Sequence, residues 1–128
     1  MEADLMRRIQ ISLSTVGARV FRNNVGLGWI GKSFHIEKEQ TIKVYPGDVV
    51  IRAARPLHAG LIKDSADLIG FATQGGKFVS CEVKVPGEKP SKEQFDWLAA
   101  VNAAGGIAIW ADSPDSAISK YMQAIRKD

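Results

Sequence analysis

Apolar residues recur along this chain with two periods, one typical of helices and one typical of strands. Residues 2–16 keep the i, i+3, i+4 spacing of an amphipathic helix, which Gly17 ends. The same spacing returns in the last third of the chain, where an S-x-x-Q capping pattern begins at Ser91. The elements predicted outside the centre of the chain are helices over residues 2–16, 91–104 and 113–126, and strands over residues 18–23, 49–51 and 107–111.

A β-hairpin is predicted at the centre of the chain. Residues 66–71 and 78–85 are rich in large apolar and β-branched residues, and the turn sequence TQGG lies between them. A two-residue loop made by the central Gln-Gly would fix the register of the two strands. The expected pairs are then Thr73 with Gly76, Phe71 with Phe78, Ile69 with Ser80, and Asp67 with Glu82.

Two carboxylates on facing strands form the first candidate site. Directly opposed side chains lie about 4.5–5.5 Å apart at Cβ, and like charges there are destabilising, so a cation between Asp67 and Glu82 is a natural remedy. Side chains alternate between faces along a strand, which directs Lys84 to the side of Glu82. Asp67, Glu82 and Lys84 therefore converge in this register. A solvated sheet edge is the alternative interpretation of Glu-x-Lys alone.

Composition limits the class of protein. The 128 residues are 45% hydrophobic and 24% charged, which indicates one globular domain over residues 1–128. No apolar run approaches the ~20 residues of a membrane span and no signal-peptide core opens the chain, so we expect a cytoplasmic protein without a membrane partner. The single Cys81 is expected to be a packed thiol, in agreement with a reducing compartment.

Positive charge is concentrated in the first half of the chain. Residues 1–64 carry ten Lys or Arg and six acids, whereas residues 65–128 carry seven and eight. A basic N-terminal half is compatible with a nucleic-acid partner.

Residues 26–33, GLGWIGKS, fit the two phosphate-loop patterns GxGxxG and GxxxxGK[ST]. Both patterns need a helix directly after the loop, because the helix N-terminus helps to hold the phosphate. Residues 34–46 carry extended and turn signals instead, so a phosphate-loop nucleotide hydrolase is an alternative hypothesis. A mobile loop that presents Trp29 and Lys32 to nucleic acid fits better, and a surface loop with Trp29 packed down is the remaining alternative.

The order of these elements, with Asp67 and Glu82-x-Lys84 on the hairpin, resembles the PD-(D/E)XK nuclease superfamily. The sequences of the motifs resemble those of its VRR-NUC family, especially of the compact stand-alone phage members. The stretches that carry the resemblance are VFRNNVG at 20–26, GLIKDSADLIG at 60–70, FVSCEVKVPG at 78–87, KEQ at 92–94 and AAGGIA at 103–108. The resemblance implies an α/β fold with a restriction-endonuclease-like core, in which helices flank a central mixed β-sheet.

The resemblance also implies a divalent-metal-dependent DNA endonuclease. Asp67 and Glu82 would bind Mg²⁺ or Mn²⁺ together with the backbone carbonyl of Val83, since Mg²⁺ prefers oxygen ligands and keeps several waters. Lys84 would orient or activate the attacking water.

Two further residues are assigned to the site by the same resemblance. Gln94 would support it from the second helix, with a hydrogen bond back to Ser91 as the alternative role. Glu2 would be the acidic residue of the first helix, with Asp4 as the alternative. The chain departs from the family's pattern at two other positions, where Ser65 replaces proline and Asp64 replaces glycine.

Branched DNA such as a four-way junction is the expected substrate, and a homodimer is the expected form, because compact members of the family resemble junction resolvases. A dimer interface is expected around Trp29, Phe34 and Tyr45. A catalytically silent nucleic-acid-binding module of the same fold is the alternative. The residues expected to contact DNA are Arg22, Asn23, Trp29, Lys32, Arg52, Arg55 and Lys63.

Overall fold

The structure is a computed structural model that describes residues 2–25, 31–55 and 60–126. The described residues form helices α1 (Glu2–Thr15), α2 (Lys92–Ala103) and α3 (Pro114–Arg126), and strands β1 (Ala18–Arg22), β2 (Leu68–Ala72), β3 (Phe78–Val83) and β4 (Ile107–Ala111). The strands form one sheet in the order β1-β2-β3-β4. The first two pairings are antiparallel and β3 runs parallel to β4, so the predicted α/β class with a mixed sheet flanked by helices is confirmed.

Local signals account for the ends of the helices. Gly17 follows α1 with a φ of +95°, a conformation that favours glycine, and the chain turns there into β1. At the start of α2, the Ser91 hydroxyl accepts a hydrogen bond from the Gln94 N–H at 3.1 Å, and the Gln94 side chain accepts one from the Ser91 N–H at 2.9 Å. This reciprocal pair is the capping box expected from the sequence.

One face of the sheet is sealed by α1 and α3. The apolar stripe of α1 packs on β1, and α3 packs on both α1 and β4. Ile9, Leu13, Leu68 and Tyr121 are completely buried in this layer. The main hydrophobic core therefore lies between these two helices and the sheet.

The opposite face of the sheet is only half covered. Helix α2 packs on β3 and β4, where Leu98 and Val101 meet Ala108. The Trp97 Nε1–H donates to the Ser80 Oγ at 2.8 Å, which ties the middle of α2 to the middle of β3. Val101 lies close to Gly106, which in turn lies close to the carbonyl of Phe78. Helix α2 thus runs antiparallel to β3, with its N-terminal turn toward the C-terminal end of the strand.

The strand predicted at residues 49–51 is wrong. Every residue of 31–55 is exposed, and this stretch contains a turn but neither a helix nor a strand. Val49 is 82% exposed, although it is β-branched. β-propensity produces a strand only where a neighbouring strand offers backbone partners, and no described strand pairs with this stretch.

The glycine-rich motif at residues 26–33 lacks the context that a phosphate loop needs. Strand β1 ends at Arg22, and the described residues 31–55 contain no helix. Residues 26–30, including Trp29, lie outside the described part of the chain.

Within the described residues, no helix combines the length and the apolar character required to cross a bilayer.

Candidate functional site

The register of the central hairpin is the one predicted. Ile69 pairs with Ser80 and Phe71 with Phe78. The predicted two-residue loop is wrong, because the last pair joins the Ala72 N–H to the Lys77 carbonyl at 2.9 Å and leaves a four-residue loop. The longer loop takes one extra residue from each strand, so the facing of every side chain is unchanged.

Both strands of the hairpin are also shorter than predicted at the end away from the loop. β2 begins at Leu68 and β3 ends at Val83, so Asp67 and Lys84 lie one residue beyond the paired segments. Asp67 is nevertheless held in place from both sides. Its Oδ2 accepts the Val83 N–H at 2.9 Å, and its carbonyl accepts the Asn23 N–H at 2.8 Å. The side chain of Asp67 thus stands where the extended strand would have placed it.

Glu82 is the most deeply buried carboxyl group of the described residues, with 3% of its surface exposed. Burial raises its pKa to about 9, helped by a hydrogen bond to Asp67 and by the negative charges of Asp67 and Glu2, while Lys84 acts in the opposite direction. The structure therefore brings Asp67, Glu82, Lys84 and Glu2 into one electrostatic neighbourhood. A protonated Glu82 that donates a hydrogen bond to the Asp67 carboxylate removes the repulsion without a metal ion.

The donor set fits a divalent cation with hard-oxygen preference. Two carboxyl groups in contact, one of them buried, hold a proton that a cation of higher charge can replace. In the described part of the chain, no three His, Cys, Asp or Glu side chains are arranged as a metal-binding group. Mg²⁺ keeps several waters and is often held by one or two carboxylates, so Asp67 and Glu82 match its usual needs.

The remaining residues of the predicted site lie at the same end of the sheet. Lys84 is half-buried and its N–H donates to the Ala111 carbonyl at 3.0 Å, which fixes its backbone beside β4. Gln94 lies in the first turn of α2, at the level of Glu82, and its Oε1 accepts from Ser91. The capping role of Gln94 is thus confirmed, and its role in the site stays a prediction. Glu2 is exposed in the first turn of α1.

The loop before β2 is braced by Asn23. The Asn23 Nδ2 donates to the Ser65 Oγ at 2.8 Å and to the Ala66 carbonyl at 2.9 Å, and its Oδ1 accepts the Leu61 N–H at 3.0 Å. The sequence predicted a DNA contact for the Asn23 side chain, and in the structure its three hydrogen bonds go to this loop. Asp64 has a φ of +68°, so the position at which the family pattern has glycine adopts the conformation that glycine favours.

A scan of the chain against protein-family models gives no match, and a search of curated proteins gives none either. The resemblance to VRR-NUC nucleases therefore stays a prediction from the sequence motifs.

The predicted DNA-contacting cations are all exposed and belong to three different segments of the chain. Arg22 lies at the end of β1, close to the carboxylate end of the sheet, and Lys63 lies in the loop that leads to Asp67. Lys32, Arg52 and Arg55 belong to the exposed stretch 31–55.

The structure adds a feature that the sequence interpretation missed. Phe21, Ile69, Phe71 and Phe78 lie on the half of the sheet that α2 leaves open, and the three phenylalanines are 57%, 45% and 38% exposed. The signal was present in the alternation of β1, β2 and β3, each of which carries large apolar residues on both faces. Only the position of α2 shows that one of those faces is uncovered.

Proposed function

We propose that this chain is a divalent-metal-dependent DNA endonuclease of the PD-(D/E)XK type, similar to the compact VRR-NUC nucleases. The observation that carries the proposal is the contact between the buried Glu82 and Asp67, with Lys84 beside them. A buried carboxyl group with a strongly raised pKa, packed against a second carboxyl group, is costly for a protein to keep and is typical of functional sites.

Each side chain has a role that its position supports. Asp67 and Glu82 hold the cation, and the Val83 N–H fixes the orientation of the Asp67 carboxylate. The cation supplies charge stabilisation at the phosphate and a hydroxide near neutral pH. Lys84 stabilises the negative charge that develops on the phosphate, from a backbone position anchored to β4.

The first experiment compares carboxylate variants on DNA cleavage. Asp67→Asn and Glu82→Gln should each abolish cleavage of labelled four-way-junction DNA in Mg²⁺ or Mn²⁺, while EDTA abolishes cleavage by the wild type. Glu93→Gln is the matched control, since it removes an exposed carboxylate from the first turn of α2. Cleavage by either site variant at the wild-type rate would refute the proposed metal site.

A second pair of variants separates the nuclease from a phosphate-loop hydrolase. Lys84→Ala should remove cleavage, whereas Lys32→Ala should at most weaken DNA binding and its salt dependence. Magnesium-dependent ATP hydrolysis that is lost in Lys32→Ala would overturn the nuclease assignment. Specific junction binding without cleavage under any metal would instead favour the catalytically silent module.

We further propose that the substrate is branched DNA and that the working form is a homodimer. One chain offers one carboxylate pair, and two cuts in strands related by two-fold symmetry need two such sites.

The dimer is not expected to form by pairing of two β4 strands. At the outer edge of β4, the Asn102 amide already binds both the N–H and the carbonyl of Ala108. Sedimentation should give about twice the 13.9 kDa of one chain. A strict monomer that cuts flaps would refute the resolvase assignment and leave the metal site in place.

A further inference from the structure

The open half of the sheet is an aromatic surface that begins beside the carboxylate pair. In the row nearest the pair, Phe21 lies opposite Ile69, and Ile69 lies opposite Ser80. In the next row, Phe71 lies between Arg19 and Phe78. Rows on the same face of a sheet are about 6.8 Å apart, so the aromatic rings lie about one and two rows from Asp67 and Glu82.

Apart from the carboxylate pair at one end, the described residues that line the groove on this surface are positively charged or neutral. Arg22, Asn23 and Asn24 line the groove above Phe21, and Gly60 closes its end. None of the residues that line this groove carries a carboxylate. The exposed Arg19 adds a second guanidinium in the row of Phe71. An anionic ligand with flat apolar groups complements both properties.

We propose that this surface, formed by Phe21, Ile69, Phe71 and Phe78, binds unpaired nucleobases of the DNA strand whose phosphate is cut. The inference rests on the proposed function and adds the form of the substrate to it. Every base has a π-face, and stacking on aromatic side chains is tolerant of sequence. Arg19, which shares the row of Phe71 on this face, contacts a backbone phosphate of the same strand.

The position of the surface favours bases over a protein as its occupant. A strand that places a phosphate at Asp67 and Glu82 and continues across the sheet meets Phe21 first and then the Phe71–Phe78 pair. Successive unstacked nucleotides span roughly the same distance as successive rows of a sheet. A junction or flap supplies such nucleotides at its branch point, whereas continuous duplex DNA keeps its bases stacked inside.

The test measures binding in EDTA, where cleavage does not interfere. Fluorescence anisotropy of a labelled thymidine oligonucleotide is compared for the wild type, Phe71→Leu and Phe78→Leu. We expect each leucine variant to bind about tenfold more weakly, because leucine keeps an apolar side chain and removes the stacking ring. Phe71→Tyr should bind like the wild type. Phe95→Leu is the matched control, since Phe95 is 42% exposed and belongs to α2, not to the sheet.

The outcomes separate this inference from the nuclease proposal. Asp67→Asn should bind the oligonucleotide at least as well as the wild type. Failure of the wild type to cleave DNA in Mg²⁺ or Mn²⁺, with the leucine variants still weakened in binding, would sink the nuclease and leave the binding surface standing. Oligonucleotide affinity that is unchanged in both leucine variants would overturn the inference. A shift in sedimentation caused by Phe71→Leu and Phe71→Tyr alike, without a change in affinity, would assign the surface to a second copy of the chain instead.

Discussion

The two faces of β3 (Phe78–Val83) differ in the side chains that they bury, which are apolar on one face and polar on the other. Val79, Cys81 and Val83 point to the face that α1 and α3 cover, and all three are almost completely buried among apolar residues. On the other face, Ser80 holds Trp97 by a hydrogen bond and Glu82 meets Asp67. Both faces are buried from Val79 to Val83, so burial alone does not distinguish them. The difference lies in whether the buried groups are polar and have charged partners.

The same comparison extends across the sheet. The face below α1 and α3 is sealed from β1 to β4, whereas on the other face the described helices cover only β4 and the part of β3 beyond Phe78. The carboxylate pair lies close to the boundary between the covered and the open part. Glu82 is buried there and its pKa is raised, whereas its neighbour Asp67 is half-buried and stays partly open to solvent. We infer that the incomplete cover by α2 gives a ligand access to the carboxylate pair from the side of Asp67.

The largest expected effect compares two positions of β2 whose side chains lie on opposite faces of the sheet. Leu68→Ala removes a fully buried side chain from the sealed face and should lower the free energy of unfolding by about 3 kcal/mol. Phe71→Ala removes a larger side chain from the open face and should cost less than about 1 kcal/mol, mainly through the Phe71–Phe78 pair. Urea unfolding followed by circular dichroism measures both. Equal losses would mean that the open face is covered in solution.

Much of this architecture follows from the sequence because local signals specify it. The 3.6-residue period predicted α1, the S-x-x-Q pattern predicted the cap of α2, and the strand pattern predicted the register of the hairpin. The register was right even though the loop length was wrong, since the change was symmetric and preserved the alternation of side chains. The convergence of Asp67 and Glu82 then follows from that register.

What the sequence could not give depends on tertiary neighbours. Residues 49–51 have strand propensity, but a strand forms only against a partner, and the described chain supplies none. Asn23 looked like a surface contact for DNA, and its three hydrogen bonds depend on a loop some 40 residues away in sequence. The open aromatic surface likewise depends on where α2 packs, which no local pattern of β1 or β2 contains.

The pH dependence of stability tests the shielded carboxyl group. Glu82 has a higher pKa in the folded protein than in the unfolded chain, so the folded state binds the proton more strongly. In EDTA, stability should be greatest near pH 4.5 and fall as the pH rises toward about 9. Glu82→Gln should remove most of this decline, because the amide does not titrate. Thermal unfolding at several pH values measures it.

Metal addition gives the pH experiment its control. Mg²⁺ that binds the folded state should raise the melting temperature of the wild type at pH 8 and not that of Glu82→Gln. A wild-type stability that rises between pH 5 and pH 9 in EDTA would contradict a protonated Glu82 in the folded protein.

The sealed face contains one polar atom whose removal should be favourable. Tyr121 is fully buried, and its hydroxyl has no hydrogen-bond partner within the described residues. A buried polar group without a partner costs about 1–3 kcal/mol, so Tyr121→Phe should raise the free energy of unfolding by about 1 kcal/mol. Leu98→Ala on the α2 side is a control of opposite sign, because it removes a buried apolar side chain. A loss of stability in Tyr121→Phe would show that the hydroxyl has a partner in solution, such as a water molecule.

The smallest expected effect concerns Gln94, which belongs to the cap of α2 and is predicted to support the site. Ser91→Ala removes the hydroxyl that accepts the Gln94 N–H and should cost about 1 kcal/mol of stability, with cleavage unchanged. Gln94→Glu keeps an oxygen that accepts the Ser91 N–H and replaces the side-chain NH₂, so stability should stay within about 0.5 kcal/mol of the wild type. A supporting role for Gln94 then predicts slower cleavage by Gln94→Glu and normal cleavage by Ser91→Ala. Normal cleavage by Gln94→Glu would restrict Gln94 to the cap, because this variant removes the amide donor and adds a negative charge while it keeps the oxygen that accepts the Ser91 N–H.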